Sequence, residues 1–226
     1  MATTTINVTA QAYDTIKDES TALTQRSTLK FAGDGVTAAD SGGETVVTIP
    51  GPSATTNVGL FAQTANSTLI TNTTTETSLI NGGVGSLSIP ANTFKVGDSF
   101  RSVFGGVMNA QNNQTIRIRV VVGGVVLLDS LAQNLGSSVV NDVWSLNIDF
   151  TIRSIGGLGV ASIVTLGSFH YTKTNNASVQ GFGFNTVNNT TFDTTIPTTL
   201  DVTAKWGAAN VGNSIYSDIF VLNKTY

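Results

Sequence analysis

The stretch DVWSLNIDFTIRSI, residues 142–155, decides the fold. From Trp144 it alternates strictly. Trp144, Leu146, Ile148, Phe150 and Ile152 fall on one side; Ser145, Asn147, Asp149, Thr151 and Arg153 fall on the other. A two-residue period sends successive side chains to opposite faces, so this is a long β-strand with a dry face and a wet face. Burying the apolar row contributes at most about 10 kcal/mol, because unfolded chains are already partly collapsed. A slip of one residue would turn the whole row to solvent, so the register is strongly specified.

Other stretches share the pattern. Leu200, Val202, Ala204 and Trp206 alternate with Asp201, Thr203 and Lys205. Ile116, Ile118 and Val120 alternate with Arg117 and Arg119. Near the C-terminus, Tyr216, Phe220 and Leu222 oppose Ile215, Ile219 and Val221, which predicts a strand covered on both sides. The run VVVGGVVLL, residues 120–128, is apolar throughout and reads as deep core or as subunit interface. Its Gly123-Gly124 predicts a two-residue hairpin, since glycine tolerates the positive φ such turns need. Expected strands in this region are 60–63, 76–80, 84–89, 99–109, 115–122, 125–130, 142–155, 159–172, 198–206 and 214–224. Gly, Asn and Pro clusters separate them, and no helical period of useful length occurs. The Thr/Asn-rich stretches 64–78 and 185–199 are expected as long surface loops.

The predicted fold class is all-β: a jelly-roll-like antiparallel β-sandwich, preceded by an extended N-terminal segment with short strands. Residues 1–50 form the expected anchoring and oligomerisation segment, 51–59 a linker around Pro50 and Pro52, and 60–226 the sandwich. Residues 1–28 are polar and show neither period, which suits an arm docked on a partner or a disordered tail. Short strands are expected at 28–31 and 45–49, with Val36 and Thr37 forming a third. A segment this small lacks a core and most economically folds against copies of itself.

Composition narrows function. Charged residues are 11% against 40% hydrophobic, and Thr, Asn, Ser and 23 Gly supply the polarity and the turns. Net charge is −3 with no basic cluster, which argues against nucleic acid as a partner. No apolar run reaches bilayer length, so no membrane insertion is expected. The absence of cysteine excludes disulfides and thiolate chemistry. The N-terminus, MATTTINVTA, has neither a charged region nor an apolar core, so no secretory signal is expected. A surface suited to life outside a cell, without an export address, fits a virion component assembled in host cytoplasm. A processed chain or a plain cytoplasmic β protein is the other reading.

Candidate sites are weak. His170, the only histidine, lies in a strand with no catalytic spacing around it and reads as an ordinary strand residue. Asp34, Asp40 and Glu44 sit in a Gly-rich turn region but match neither EF-hand nor β-roll calcium spacing. Asp193 and Asp201 flank a Thr-rich loop and carry no stronger reading. GGVGS at 82–86 and GGLGV at 156–160 lack the Lys-Ser/Thr and the helix of a phosphate loop. Phe169, Tyr171, Phe182, Phe184 and Phe192 cluster in sequence around a GFGF loop; they are candidates for a sugar platform or for core rings. Asn-x-Ser/Thr matches are frequent in a chain this rich in Asn and Thr, and no glycosylation is assigned. No catalytic, cofactor-binding or metal-binding residue is expected.

Two sets of phrases carry a family resemblance. TLKFAGDGVTAADSGGETVVTIPG, residues 28–51, resembles a short module of phage tail-fibre and other virion proteins, with a G-x-G-V-T turn and a closing V-T-I-P. IPANTFKVGDSF (89–100), DFTIRSIG (149–156) and WGAANVGNSIYSDIFVLNK (206–224) resemble β-rich domains of viral structural proteins. The first covers about a tenth of the chain, the second scattered parts of the rest, and neither transfers a functional residue. The resemblance implies a homotrimer held on the capsid or tail through residues 1–50, with a β-sandwich head outward. The expected class is a non-enzymatic virion structural protein, fibre or capsid decoration, whose head contacts a host glycan or protein. The alternative is a surface carbohydrate-binding module or adhesin.

Overall fold

The computed structural model describes residues 17–18, 21–22, 36–41, 44–48, 58–136, 138–173 and 178–226. The chain forms two compact units, Met1–Ala54 and Thr55–Tyr226. In the first, β1 (Lys17–Asp18) pairs with β2 (Thr21–Ala22) and β3 (Thr37–Ser41) with β4 (Glu44–Thr48), both antiparallel. The strand expected at Val36 and Thr37 is thus longer, and pairs with the one expected at 45–49. The strand expected at 28–31 lies outside the described residues.

The second unit is all-β, with no helix among its described residues. Its strands are β5 (Val58–Gln63), β6 (Ile70–Thr71), β7 (Thr77–Ser78), β8 (Gly83–Gly85), β9 (Ser88–Ile89), β10 (Ser99–Ala110), β11 (Thr115–Val122), β12 (Val125–Asp129), β13 (Gln133–Asn134), β14 (Val139–Ser154), β15 (Ser162–Thr172), β16 (Val179–Asn188), β17 (Thr198–Trp206) and β18 (Ser214–Lys224). The larger sheet runs β16-β15-β14-β10-β18-β5-β8, with β6 also on β18. The smaller runs β12-β11-β17-β7, with β13 on β11 and β9 on β17. All pairings are antiparallel. β5 opens at Val58, inside the stretch expected as linker.

Residues 142–154 of the decisive stretch lie in β14, in the interior of the larger sheet, and Ile155 begins the loop that follows. Trp144, Leu146, Ile148, Phe150 and Ile152 are all buried, as the alternation requires. They face Ile116, Ile118 and Val120 of β11 and Leu200, Val202, Ala204 and Trp206 of β17, which form one core with them. Rings line the inner face of the larger sheet from strand to strand. Centroid spacings are 6.0 Å for Phe61–Phe220, 4.8 Å for Phe220–Phe104, 5.2 Å for Phe104–Trp144, 5.6 Å for Trp144–Phe169 and 5.0 Å for Phe169–Phe182. Such offset and edge contacts add to the area they bury. Both buried indoles find partners: Trp144 Nε1 donates to Tyr216 O (3.1 Å) and Trp206 Nε1 to Ile70 O (3.2 Å).

Two bulges set the apolar faces where alternation alone fails. In β18 the register against β10 jumps from Ile219 to Ser217. The extra residue inverts the phase, so Ile215 and Ser217 face inward before it, Phe220 and Leu222 after it. Ile219 is left on the outer face. The expectation of a strand covered on both sides is therefore wrong: one face is buried, through a change of phase. In β12 a shift between Val120 and Val121 brings Leu127 and Leu128 both into the core, so that Val120, Val122, Leu127 and Leu128 of the 120–128 run are core while Val126 stays exposed. Its hairpin turn is as expected, with positive φ at Gly123 (57°) and Gly124 (84°).

Two other expectations need correction. Residues 179–188, around GFGF, form edge strand β16 on β15, and the loop expected at 185–199 begins only after Asn188. The strand expected at 84–89 is two short ones in different sheets: β8 joins β5 and β9 joins β17, so the chain crosses the sandwich between them.

Candidate functional site

Ionisable side chains converge on the outer face of the smaller sheet. Because β11 buries Ile116, Ile118 and Val120, it turns Arg117 and Arg119 outward; β17 likewise presents Asp201, Thr203 and Lys205. Arg117 Nε donates to Asp129 Oδ1 at 2.8 Å, and its Nη2 to Asp129 Oδ2. Arg119 spans two carboxylates, Nη1 to Glu76 Oε2 at 2.7 Å and Nε to Asp129 Oδ2 at 3.3 Å. The second oxygen of Glu76 accepts from Thr203 Oγ1 at 2.6 Å, and Asp201 Oδ1 accepts from Ser78 Oγ at 2.6 Å.

These contacts set the protonation states. The hydrogen bonds from Arg117 hold the Asp129 carboxyl below its ordinary range, and the same bonds raise the Arg117 guanidinium. Asp201 moves the other way. Burial pushes its carboxyl up and nearby Glu76 adds to the rise, against bonds from Ser78 and the Val202 backbone.

A trough of about 430 Å³ opens beside this network, lined by Thr74, Thr115, Arg117, Ala132 and Lys205 over the backbone of Ile116, Trp206 and Gly207. Arg117 and Lys205 stand directly opposite on paired strands. No carboxylate lines the trough. It offers hydroxyl and cationic groups to a ligand. At one end of the sandwich a second cavity of about 50 Å³ lies among Leu60, Leu87, Phe94, Phe100, Phe192 and Leu222. With Ser86 its one polar residue, it is lined for a small apolar group.

The sequence candidates do not gather at either place. His170 is exposed on the outer face of the larger sheet, opposite Ser145 and Gly181, with Ser168 Oγ 3.4 Å from Nε2. Asp149, on the same face, is engaged by Arg101 at 2.7 Å. The rings proposed as a sugar platform are core: Phe169, Tyr171 and Phe192 are buried, and Phe182 and Phe184 pack against the core from β16. Asp193 closes a turn by accepting from Thr195 N (2.8 Å) and Oγ1 (2.6 Å), which lowers its carboxyl. Asp201 belongs to the network above. In GGVGS, Gly83 and Gly85 let β8 lie against β5: a Cβ on either would come within 2.1 Å of a β5 carbonyl oxygen. GGLGV is a closed loop in which Gly156 N donates to Thr194 Oγ1 at 2.8 Å. Asp34 and the side chains of Asp40 and Glu44 lie outside the described residues. Among the described residues, no three His, Asp or Glu side chains are grouped to hold a metal ion. No helix among them is long and apolar enough to cross a membrane.

No family model matches the chain, and no curated protein does. Among solved structures it is similar to the CBM2 module of Lactobacillus casei BL23 phage J-1 evolved Dit. Identity is 11% over 62% of this chain and 68% of that one, with a TM-score of 0.28. A likeness at that level fixes neither topology nor ligand.

Proposed function

We propose that the chain is a non-enzymatic structural protein of a virus particle, a fibre or capsid decoration. Residues 1–50 dock it on capsid or tail proteins, and the sandwich is displayed outward as a homo-oligomer, most simply a trimer. It is assembled in host cytoplasm and its head contacts the host surface. The observation that carries this reading is where the chemistry goes. The phenylalanine and tryptophan rings of the sandwich feed the core, and the carboxylates of the charged network on the smaller sheet are bonded by arginine or hydroxyl groups. A broad sheet face stays uncovered. Such an object is built to be stable and to touch. The family resemblance of residues 28–51 and 206–224 supports the same reading. Immunogold microscopy of purified particles, with an antibody to the sandwich, tests it. Regular label on the particle surface is expected; particles free of the chain would refute it.

The alternative, a surface carbohydrate-binding module or adhesin, draws on the trough, whose 430 Å³ is in the range of small-molecule sites. Glycan-array binding that Lys205→Ala abolishes would favour it; binding that survives this change would place the sugar elsewhere.

A further inference from the structure

The outer face of the larger sheet carries an apolar band that the fold leaves uncovered. Successive registers define one row across seven strands, apolar through Val84–Ala62–Val221–Val103 and continuing as polar, uncharged Asn147–Ser168–Gly183. No charge interrupts it. On the next row Ile219 stands opposite Gly105, because the β18 bulge turns it outward. Beyond it lie Tyr216, Val107 and Val143, again in register. Val84 (64% exposed), Val103 (48%), Val143 (64%) and Ile219 (46%) lead this band. A contiguous apolar patch on a folded domain marks a contact surface.

We infer that this face is where copies of the chain pack on one another, sheet against sheet. The inference deepens the self-assembly part of the proposed function, by placing assembly on the sandwich rather than on residues 1–50, and it replaces the trimer with a two-fold pair, since one face packed on its own copy closes as a dimer. Three observations select a second copy. The first is size: with strands about 4.8 Å apart and residues about 3.3 Å apart, the registered pairs span about 760 Å², close to the roughly 800 Å² per partner of a stable complex. The second is charge: Arg101 and Asp149 pair with each other at 2.7 Å. That leaves Arg153, His170 and Asp218 at the bulge as scattered ionisable groups of mixed sign, with no one-signed patch for a charged partner to complement. The third is chemistry. Valine and isoleucine rows satisfy other such rows, as the two sheets do inside the sandwich, whereas a sugar would have its hydroxyls stranded against them.

The test is the solution mass of the full chain by light scattering and sedimentation, for wild type and for Val103→Lys/Ile219→Lys. Val211→Lys is the control, since Val211 is 84% exposed between β17 and β18. Wild type and control are expected at twice 23.5 kDa, and the double-lysine protein at 23.5 kDa with its near-ultraviolet dichroism intact. A monomeric wild type overturns the inference, as does a folded double-lysine protein of wild-type mass. Should the lysines prevent folding, Val103→Thr/Ile219→Thr keeps β-branched shape. Its self-association is expected to weaken at least about tenfold, and unchanged association overturns the inference. Particle labelling can fail while self-association holds, so the two readings fall separately.

Discussion

Thr165 sits on the inner face of β15, between Phe150 and Thr186, with its buried hydroxyl lacking a protein partner. Desolvating a hydroxyl without a hydrogen bond costs more than the bond it might make is worth. Thr165→Val keeps the shape and removes the polar atom. It is expected to stabilise by about 1 kcal/mol, raising Tm by about 2–4 °C in calorimetry. Asp201 makes a second case, with its sign set by linkage. Its folded carboxyl titrates above the ordinary range, so its contribution is fully present at acid pH and is lost as pH rises through the raised value. Asp129 is opposite: its depressed carboxyl contributes above the ordinary range, and that is lost as pH falls. At neutral pH, Asp201→Asn is therefore expected to hold or raise Tm, and Asp129→Asn to lower it. A loss of Tm in Asp201→Asn that matches Asp129→Asn would contradict this.

At the scale of the element, glycine decides what the β10–β18 pair can do. A Cβ on Gly106 would lie 2.1 Å from Tyr216 O, at the point where the bulge brings β18 close. Gly106→Ala must push the strands apart, costing about 3 kcal/mol, read as a shift of the denaturant midpoint. Wild-type stability would show that the approach is looser. This bulge also marks the limit of what the sequence discloses. β11, β14 and β17 were legible because their alternation runs unbroken. β18 was not, because one inserted residue inverts the phase and two half-rows look like a strand apolar on both sides. β16 was hidden by composition: glycine at 181 and 183 weakens strand propensity and reads as loop, although Phe182 and Phe184 alternate with it. The charged network was illegible for a plainer reason. Glu76 lies 43 positions from Arg119, and Ser78 lies 123 from Asp201, so only pairing of β7 with β17 brings them together.

Across the whole molecule, the two faces of the larger sheet divide the labour. The inner face carries most of the rings and holds the smaller sheet; the outer face carries valine, isoleucine, serine and glycine, with Arg101 and Asp149 paired on one row. That division follows from the two-residue period of β14, and the proposed display and assembly both depend on it. The chain has no cysteine, so it can be read one position at a time. Single cysteines at each position from 144 to 153, labelled with a thiol reagent in dilute native protein, test the division directly. Fast labelling at 145, 147, 149, 151 and 153 is expected, with protection at 144, 146, 148, 150 and 152. Reactivity repeating every three to four residues, or uniform along the stretch, would contradict the layered fold and all that is built on it.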